Sequence, residues 1–458
     1  MGALIVIFTG ALVVLFAGLF AKRSILQGIG LVTALGGLVL SLVALNSEVF
    51  DLRHMLIFDH YALAFTALMC LATFLVFLAS GYGFRQLGET LGDNYGLILF
   101  SLCGGICMVS FQNMVMLFLG IEILSIPLYV LAGSRRNDLG SNEASLKYFL
   151  MGAFATGILL MGMALLYGAT GTFDVVAMGE KLTSGGLSGY GYIGFMLLTI
   201  GLCFKISAAP FHFWSPDVYQ GSPTIITAFM ASVVKIAGFG ALVRIFSISF
   251  VGVAGEWMTM LGAIACLTMT VGNFGALMQS NFKRLLAYSS ISHAGYLLLG
   301  VVSLQYNSVS SVFYYLTAYS IATIVAFTIF MLISEQKASE NISVFNGLAK
   351  RKPLLAFAMT IALLSMAGIP PLAGFFGKYF LFTKALEANP VMVIVAVINS
   401  AISIAYYFKP ITAMYFTKEE DVDNEVLLPG LIKTSIVLSL CLLVIMVIFP
   451  GWVQGLVG

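Results

Sequence analysis

The sequence predicts an all-α polytopic membrane protein with about 14 transmembrane helices, on three observations. Apolar residues make up 60% of the 458-residue chain and charged residues only 9%, against about 25% charged in soluble domains. The apolar residues run in long continuous stretches, each near the ~20 residues a helix needs to cross a bilayer. The basic residues divide between alternate connectors, as membrane topology requires. Only helices or closed barrels satisfy the backbone in lipid, and continuous apolar runs argue for helices.

The spans fall at about 3–20, 25–45, 61–83, 95–111, 113–132, 144–168, 190–214, 224–248, 257–279, 286–304, 310–333, 354–386, 391–416 and 431–450. No Lys or Arg precedes the first run, while Lys22 and Arg23 follow it. It therefore reads as an uncleaved span with its N-terminus outside. With that start, the cytoplasmic connectors carry Lys22, Arg23, Arg85, Arg135, Arg136, Lys147, Lys283, Arg284, Lys337, Lys350, Arg351, Lys352, Lys409, Lys418 and Lys433. The outer connectors carry Arg53, Lys181, Arg244 and Lys384. An error of one span in the middle scrambles this partition, so both termini are expected outside. The polar stretches 334–353 and 417–430 are too short to bury a core of their own.

Two spans are interrupted by proline. KISAAPFHFWSPDVYQGSP breaks at Pro210 and near Pro216, and SMAGIPPLAGFFGKYF breaks at Pro370–Pro371. Proline removes a donor and frees a carbonyl one turn back, so these helices must bend or unwind. The breaks fall in spans 7 and 12, five spans apart. Paired interruptions at matching positions point to repeats with a binding path at their interface. Five is odd, so a tandem five-span unit would be inverted in topology. The expected organisation is one transmembrane domain, 1–458: N-terminal helices at 1–90, a first repeat at 91–250, a second at 255–417 and a last helix at 431–451.

Four charged residues sit inside apolar runs: Glu122, Lys205, Lys235 and Lys378. Each costs roughly 2.5–3.5 kcal/mol at the bilayer centre, about 10 kcal/mol together if simply added, and such groups by default mark an ion or proton path. A buried lysine loses its proton through desolvation, and a nearby carboxylate restores the charge. Glu122 and Lys205 are thus a candidate switching pair; a static inter-helix salt bridge is the plainer reading, but one pair needs one lysine and this chain buries three. Lys235 lies too deep in its span to reach the interface, whereas Lys378 has only a short run beyond it. His212 and His293 could relay protons, since a neutral imidazole accepts at one nitrogen and donates from the other; either could equally be a hydrogen-bonded packing group. Lys147, in the first turn of span 6, could feed protons inward or simply mark the cytoplasmic side. Tyr288, Ser289 and Ser290 place hydroxyls near His293, although hydroxyls also satisfy helix backbone.

The six cysteines lie in apolar runs with no C-x-x-C pair, which suits packing rather than metal or redox work. No phosphate loop, dinucleotide fingerprint or haem-ligating pair of histidines is readable, and a net charge of +2 offers no basic face for nucleic acid.

KISAAPFHFWSPDVYQGSPT, the span containing Lys235, NFKRLLAYSSISHAGY and SMAGIPPLAGFFGKYF together resemble, in order and spacing, the antiporter-like membrane subunits of respiratory complex I. The resemblance runs from about span 4 to span 13. PDVYQGSP departs from the PDAMEGPTP form of sibling subunits and of cation/proton antiporters, and the HAATMV run expected of those relatives is missing. The resemblance implies a proton path through Glu122, Lys205, Lys235 and Lys378, with Lys147, His212, Tyr288 and His293 at further positions along it. It implies as partners other membrane subunits, namely an antiporter-like neighbour and small hydrophobic subunits, together with membrane lipid and a peripheral arm. That arm would use NADH, FMN, iron–sulfur clusters and a quinone, none of them housed in this chain. The expected setting is the bacterial cytoplasmic (inner) membrane, with both termini on the periplasmic side. The rival readings are a subunit of a cation/proton antiporter, a spacer with frozen charges, and quinone chemistry within the chain itself.

Overall fold

The structure is a computed structural model that describes residues 1–84, 91–187, 189–417 and 428–457. Arg85 and Lys418, two members of the basic partition, lie outside the described residues. The chain runs through α1 (Gly2–Ala17), α2 (Arg23–Ala44), a hairpin of β1 (Phe50–Leu52) and β2 (Leu56–Phe58), α3 (His60–Gly83), α4 (Leu91–Ser110), α5 (Met114–Ala132) and α6 (Leu139–Thr170). There follow α7 (Val175–Gly185), α8 (Gly189–Lys205), α9 (Trp214–Gly221), α10 (Thr224–Phe229), α11 (Lys235–Ile248), α12 (Ala254–Leu277), α13 (Phe282–Val302) and α14 (Val309–Lys337). The last helices are α15 (Leu348–Arg351), α16 (Pro353–Ala367), α17 (Ala373–Ala388), α18 (Pro390–Phe416), α19 (Gly430–Ile448) and α20 (Pro450–Gln454).

Among the described residues, 11 helical stretches are long and apolar enough to cross a membrane, and three shorter apolar helices are Gly2–Ala17, Gly189–Lys205 and Pro353–Ala367. Those three stand where the sequence places spans 1, 7 and 12. The last two are short because proline interrupts them. Sequence reading did not anticipate the β-hairpin or α7. The hairpin turns on Arg53 and His54, both at positive φ, where Asn-Gly is the usual signal; Asp51 accepts the His54 amide at 2.8 Å to hold it.

Burial sorts the helices into a centre and a rim. The α10–α11 stretch and α14 are buried over their whole apolar windows, and α13 nearly so. A helix apolar on every side belongs inside protein. α2, α6, α18 and α19 bury a minority of theirs and leave Val32, Phe154, Ile394 and Ile448 exposed, the pattern of a lipid-facing rim. The central helices carry the polar side chains described below.

The breaks at Pro210 and at Pro370–Pro371 are real, whereas the one expected near Pro216 is not: Pro216 sits in the first turn of α9 (Trp214–Gly221), where a missing N–H breaks no helical bond. α8 ends at Lys205, the chain leaves the helix through Ser207 at φ +60°, and it resumes at Trp214. α16 ends at Ala367, Gly368 takes φ +82°, and α17 begins at Ala373. Ala209–Pro210 and Pro370–Pro371 are both cis. The carbonyls released by the breaks find donors: Trp214 Nε1 reaches Phe204 O at 3.1 Å, and Lys378 Nζ reaches Ala367 O at 2.8 Å. A π-helical turn, Met230–Val234, separates α10 from α11; such turns are often found at functional positions.

The connectors collect on two faces. The basic face joins the α5–α6 connector, the start of α6, α9, the start of α13 and the α14–α15 connector around one cavity. The hairpin face joins the β-hairpin, the α4–α5 connector, α7 and the α11–α12 connector, with Ser249 Oγ donating to Val175 O at 2.7 Å. Two isolated backbone bridges stand in corresponding places five spans apart. Met114 N donates to Phe173 O at 2.9 Å and Val175 N to Gln112 O at 3.0 Å. Phe282 N donates to Glu340 O at 2.8 Å and Ile342 N to Ser280 O at 2.9 Å. The first bridge lies on the hairpin face and the second on the basic face.

Candidate proton path

The basic face opens into a cavity of about 380 Å³ lined by Arg135, Asp138, Glu143, Asp217, Arg284 and Glu340, among others. Asp217, on α9 beyond the first break, accepts from Lys147 Nζ at 2.8 Å and from Arg284 Nη1 at 2.6 Å. Lys147 also pairs with Glu143 at 2.6 Å. One carboxylate thus ties α9 to α6 and α13. Lys147 was anticipated from sequence; Asp217 and Arg284 were not. Lys283, read from sequence as a connector residue, is fully buried and bonds Glu340 Oε1 at 2.9 Å and Ser222 O at 2.8 Å.

Ala144 lines this vestibule, and Tyr148, one turn along α6, lines a narrow cleft beside Lys205. The cleft offers about 10 Å³, room for roughly one water centre. Lys205 is 8% exposed and donates to Ser125 Oγ at 2.6 Å. Ser125 stands three residues past Glu122 on α5, so the two share a face. Glu122 itself is half-buried and close enough to act on Lys205 electrostatically. Among the described residues it forms no ion pair within 4.0 Å. The expected pair is therefore neighbouring but open, and Ser125 holds the lysine. Gly238, three residues beyond Lys235, packs against the residues ending the first broken helix: a methyl there would stand 3.0 Å from Ile206 Cγ2 and 3.9 Å from Lys205 Cγ.

Lys235 is 3% exposed and donates to both the carbonyl and the hydroxyl of Ser290 at 2.5 Å. The next hydroxyl, Ser289 Oγ, bonds Tyr407 Oη. Tyr407 Oη also lies 2.8 Å from His293 Nε2, and Tyr315 Oη lies 2.6 Å from His293 Nδ1. His293 is within electrostatic reach of Lys235 and Lys378 together. Lys378, 3% exposed, donates to Ser400 Oγ at 2.9 Å and sits 4.8 Å from the centre of the Tyr296 ring. Tyr296 accepts from Asn273, which also binds Ser292, Asn399 and Tyr406. A row of titratable and hydroxyl groups thus runs from Lys235 to Lys378, hinged on His293. Such a row can pass a proton from one heteroatom to the next.

Two expected residues stand apart from this row. His212 lies in the turn of the first break, 7% exposed, with no hydrogen-bond partner at Nδ1 and its ring 4.5 Å from that of Phe213. Tyr288 packs toward Gly275 of α12 and enters none of the row's hydrogen bonds. Tyr407, Tyr315, Ser125 and Asn273 were not singled out from sequence.

A helical bundle broken twice, with buried lysines set among hydroxyls and an imidazole, defines a class: multi-span membrane proteins with titratable groups held inside the bundle. Residues 111–403 match the family described as NADH:quinone oxidoreductase/Mrp antiporter, transmembrane. The NADH-quinone oxidoreductase subunit N of Cytophaga hutchinsonii is 45% identical over 401 residues, covering 86% of each chain. That of Flavobacterium johnsoniae is 41% identical over 458 residues, covering 97% of this chain and 98% of its own. A chain of respiratory complex I from Thermus thermophilus with bound aureothin superposes with TM-score 0.84 at 32% identity, over 99% of this chain and 98% of that one. A chain of the Mrp complex from Dietzia shares the fold, with TM-score 0.87 at 20% identity over 100% of this chain and 96% of that one. The chain belongs to the NADH:quinone oxidoreductase/Mrp antiporter transmembrane family, and the Cytophaga hutchinsonii and Flavobacterium johnsoniae relatives, both above 40% identity, are NADH-quinone oxidoreductase subunit N proteins.

Proposed function

We propose that this chain is a proton-translocating membrane subunit of an NADH-quinone oxidoreductase, coupling electron transfer from NADH to quinone with proton movement. The observation that supports it most is the close succession of hydrogen-bonded groups, Lys235–Ser290 and Ser289–Tyr407–His293, that lies between Lys235 and Lys378. Protons enter from the cytoplasm through the charged vestibule, pass Lys147 and Asp217, and reach Lys205. From Lys205 they move to Lys235, cross the hydroxyls and His293 to Lys378, and leave on the far side. The break at residues 206–213, with His212, lies beside the first transfer. The two broken helices belong to two inverted repeats, spans 4–8 and 9–13, within 14 crossings. The redox groups, FMN, iron–sulfur clusters, NADH and a quinone, belong to a peripheral arm. The membrane is the bacterial cytoplasmic membrane, with the basic face inside and both termini outside.

Glu122 biases this path. A buried lysine keeps its proton when a carboxylate approaches and releases it when the carboxylate withdraws, so the open pair is a switch read by a neighbouring subunit. Moving one charge against 100 mV costs about 2.3 kcal/mol, which quinone reduction supplies. The antiporter reading has the Mrp fold in its favour, but the relatives above 40% identity are oxidoreductase subunits.

Purification in mild detergent tests the assignment: the chain is expected to bring with it other hydrophobic subunits and NADH–quinone reductase activity. A stable monomer exchanging cations on its own refutes it. Within the complex, Tyr407→Phe is expected to slow proton-coupled quinone reduction severalfold, because it removes the hydroxyl that joins Ser289 to His293. Tyr288→Phe is expected to be silent. Equal effects of the two changes on proton uptake by proteoliposomes would remove Tyr407 from the path.

A further inference from the structure

Two cations that the path does not use stand at matching places in the two five-span sets. Arg244, late in α11, is 3% exposed. Its Nε donates to Phe111 O at 2.9 Å, and Nη1 and Nη2 donate to the two carboxylate oxygens of Asp59 at 3.2 and 3.0 Å. The guanidinium carbon lies 5.5 Å from the centre of the Tyr61 ring. Phe111 directly follows α4. Lys409, late in α18, donates Nζ to the carbonyl of Leu277, the last residue of α12. In each set the fifth span reaches back to the C-terminal end of the first. The Arg244 contact lies on the hairpin face and the Lys409 contact on the basic face.

We infer that Arg244 and Lys409 are charge plugs, each closing one end of its five-span set so that a proton cannot take the short way through it. The inference rests on the proton-path reading above. The C-terminal end of a helix carries free carbonyls and the negative pole of its dipole, both attractive to a hydrated proton. A cation seated there occupies that site and repels a second positive charge. Arginine suits the task because it keeps its proton in proteins and has no acceptor, so it cannot pass a proton on. Fixed cations are one means by which pores exclude protons. Asp59 offsets part of this charge, but its side chain is 30% exposed against 3% for Arg244, so the cation is the more deeply buried member of the pair. The first set is thereby stoppered on the hairpin face while its vestibule stays open on the basic face. Lys409 stoppers the second set on the basic face.

The test is passive proton leak through the intact complex in proteoliposomes, with neither NADH nor quinone added, read as the decay of an imposed pH gradient. Arg244→Met combined with Asp59→Asn removes both charges and leaves no orphaned carboxylate. It is expected to raise the leak by at least about tenfold, a barrier change of about 1.4 kcal/mol. Asp59→Asn alone keeps the plug and is expected to stay proton-tight. A tight double variant overturns the inference, as does a leak from Asp59→Asn equal to that of the double variant, which marks a structural latch. If the double variant does not assemble, Lys409→Met, at a half-exposed position, carries the test with the same expected leak, and a tight result there overturns it. Because the leak is measured without turnover, failure of the plug is distinct from failure of the path, which shows instead as normal pumping without Lys235.

Discussion

Lys235→Ala is expected to leave the complex assembled and to lower proton uptake coupled to quinone reduction by at least about tenfold, as loss of an acid–base group typically does. Assembly should survive because deleting a buried charge relieves an insertion cost of roughly 2.5–3.5 kcal/mol. The groups left behind, Ser290 Oγ and its carbonyl, belong to a helix whose backbone bonds remain in place. Function should not survive on the proposed path, because Lys235 is the titrating group that donates to Ser290, beside the Ser289–Tyr407–His293 bonds. Lys235→Arg is expected to fail as well, since arginine holds its proton too tightly to relay it. Proteoliposomes measure both the rate and the protons moved per quinone reduced. If neither changes in Lys235→Ala, the lysine is structural and the path lies elsewhere.

The second large effect concerns Glu122 and Lys205. The structure separates them beyond direct contact and gives Ser125 to the lysine, so their interaction is a field across a short gap. At an effective dielectric near 20 such a gap carries a coupling of about 2–3 kcal/mol, less than the ~4 kcal/mol of a pair in contact at 4 Å. Glu122→Gln with Lys205→Met removes both charges together and is expected to assemble no worse than either single change. It is still expected not to pump, because the titrating group is gone. A double-mutant cycle on the assembled complex measures the coupling. Strictly additive losses, within a few tenths of a kcal/mol, mean that the two residues do not sense each other. A charge on the adjoining subunit is then what biases Lys205.

Charge inside an apolar run is the loudest signal a membrane sequence carries, and Glu122, Lys205, Lys235 and Lys378 were legible for that reason. The breaks were legible because proline cannot continue a helix. Arg244 and Lys283 were not, because a charge near the end of a span looks the same whether it points to water or folds back inward. Both are buried, at 3% and 0%. Tyr407, Tyr315 and Ser125 escaped notice for a different reason: in an apolar helix a hydroxyl commonly serves the backbone, as Ser41 and Thr73 do here. Only the meeting of α13, α14 and α18 distinguishes a relay from a filler. The hairpin went unread because Arg53 and His54 hold a conformation that glycine or asparagine usually signals, and the π turn because no residue type marks it.

That π turn gives α11 a mechanical character of its own. Lys235 and Arg244 are nine residues apart on this one helix, about 13 Å along the axis and roughly half a revolution around it. They accordingly grip opposite neighbours, Ser290 on one side and Asp59 with Phe111 on the other. A rigid shaft held at two ends cannot twist at one alone. The π turn at Met230–Val234 joins this shaft to α10, so the proposed relay lysine and the proposed stopper arginine stand on one helix beyond a single irregular turn, and a change in the orientation of that helix bears on both.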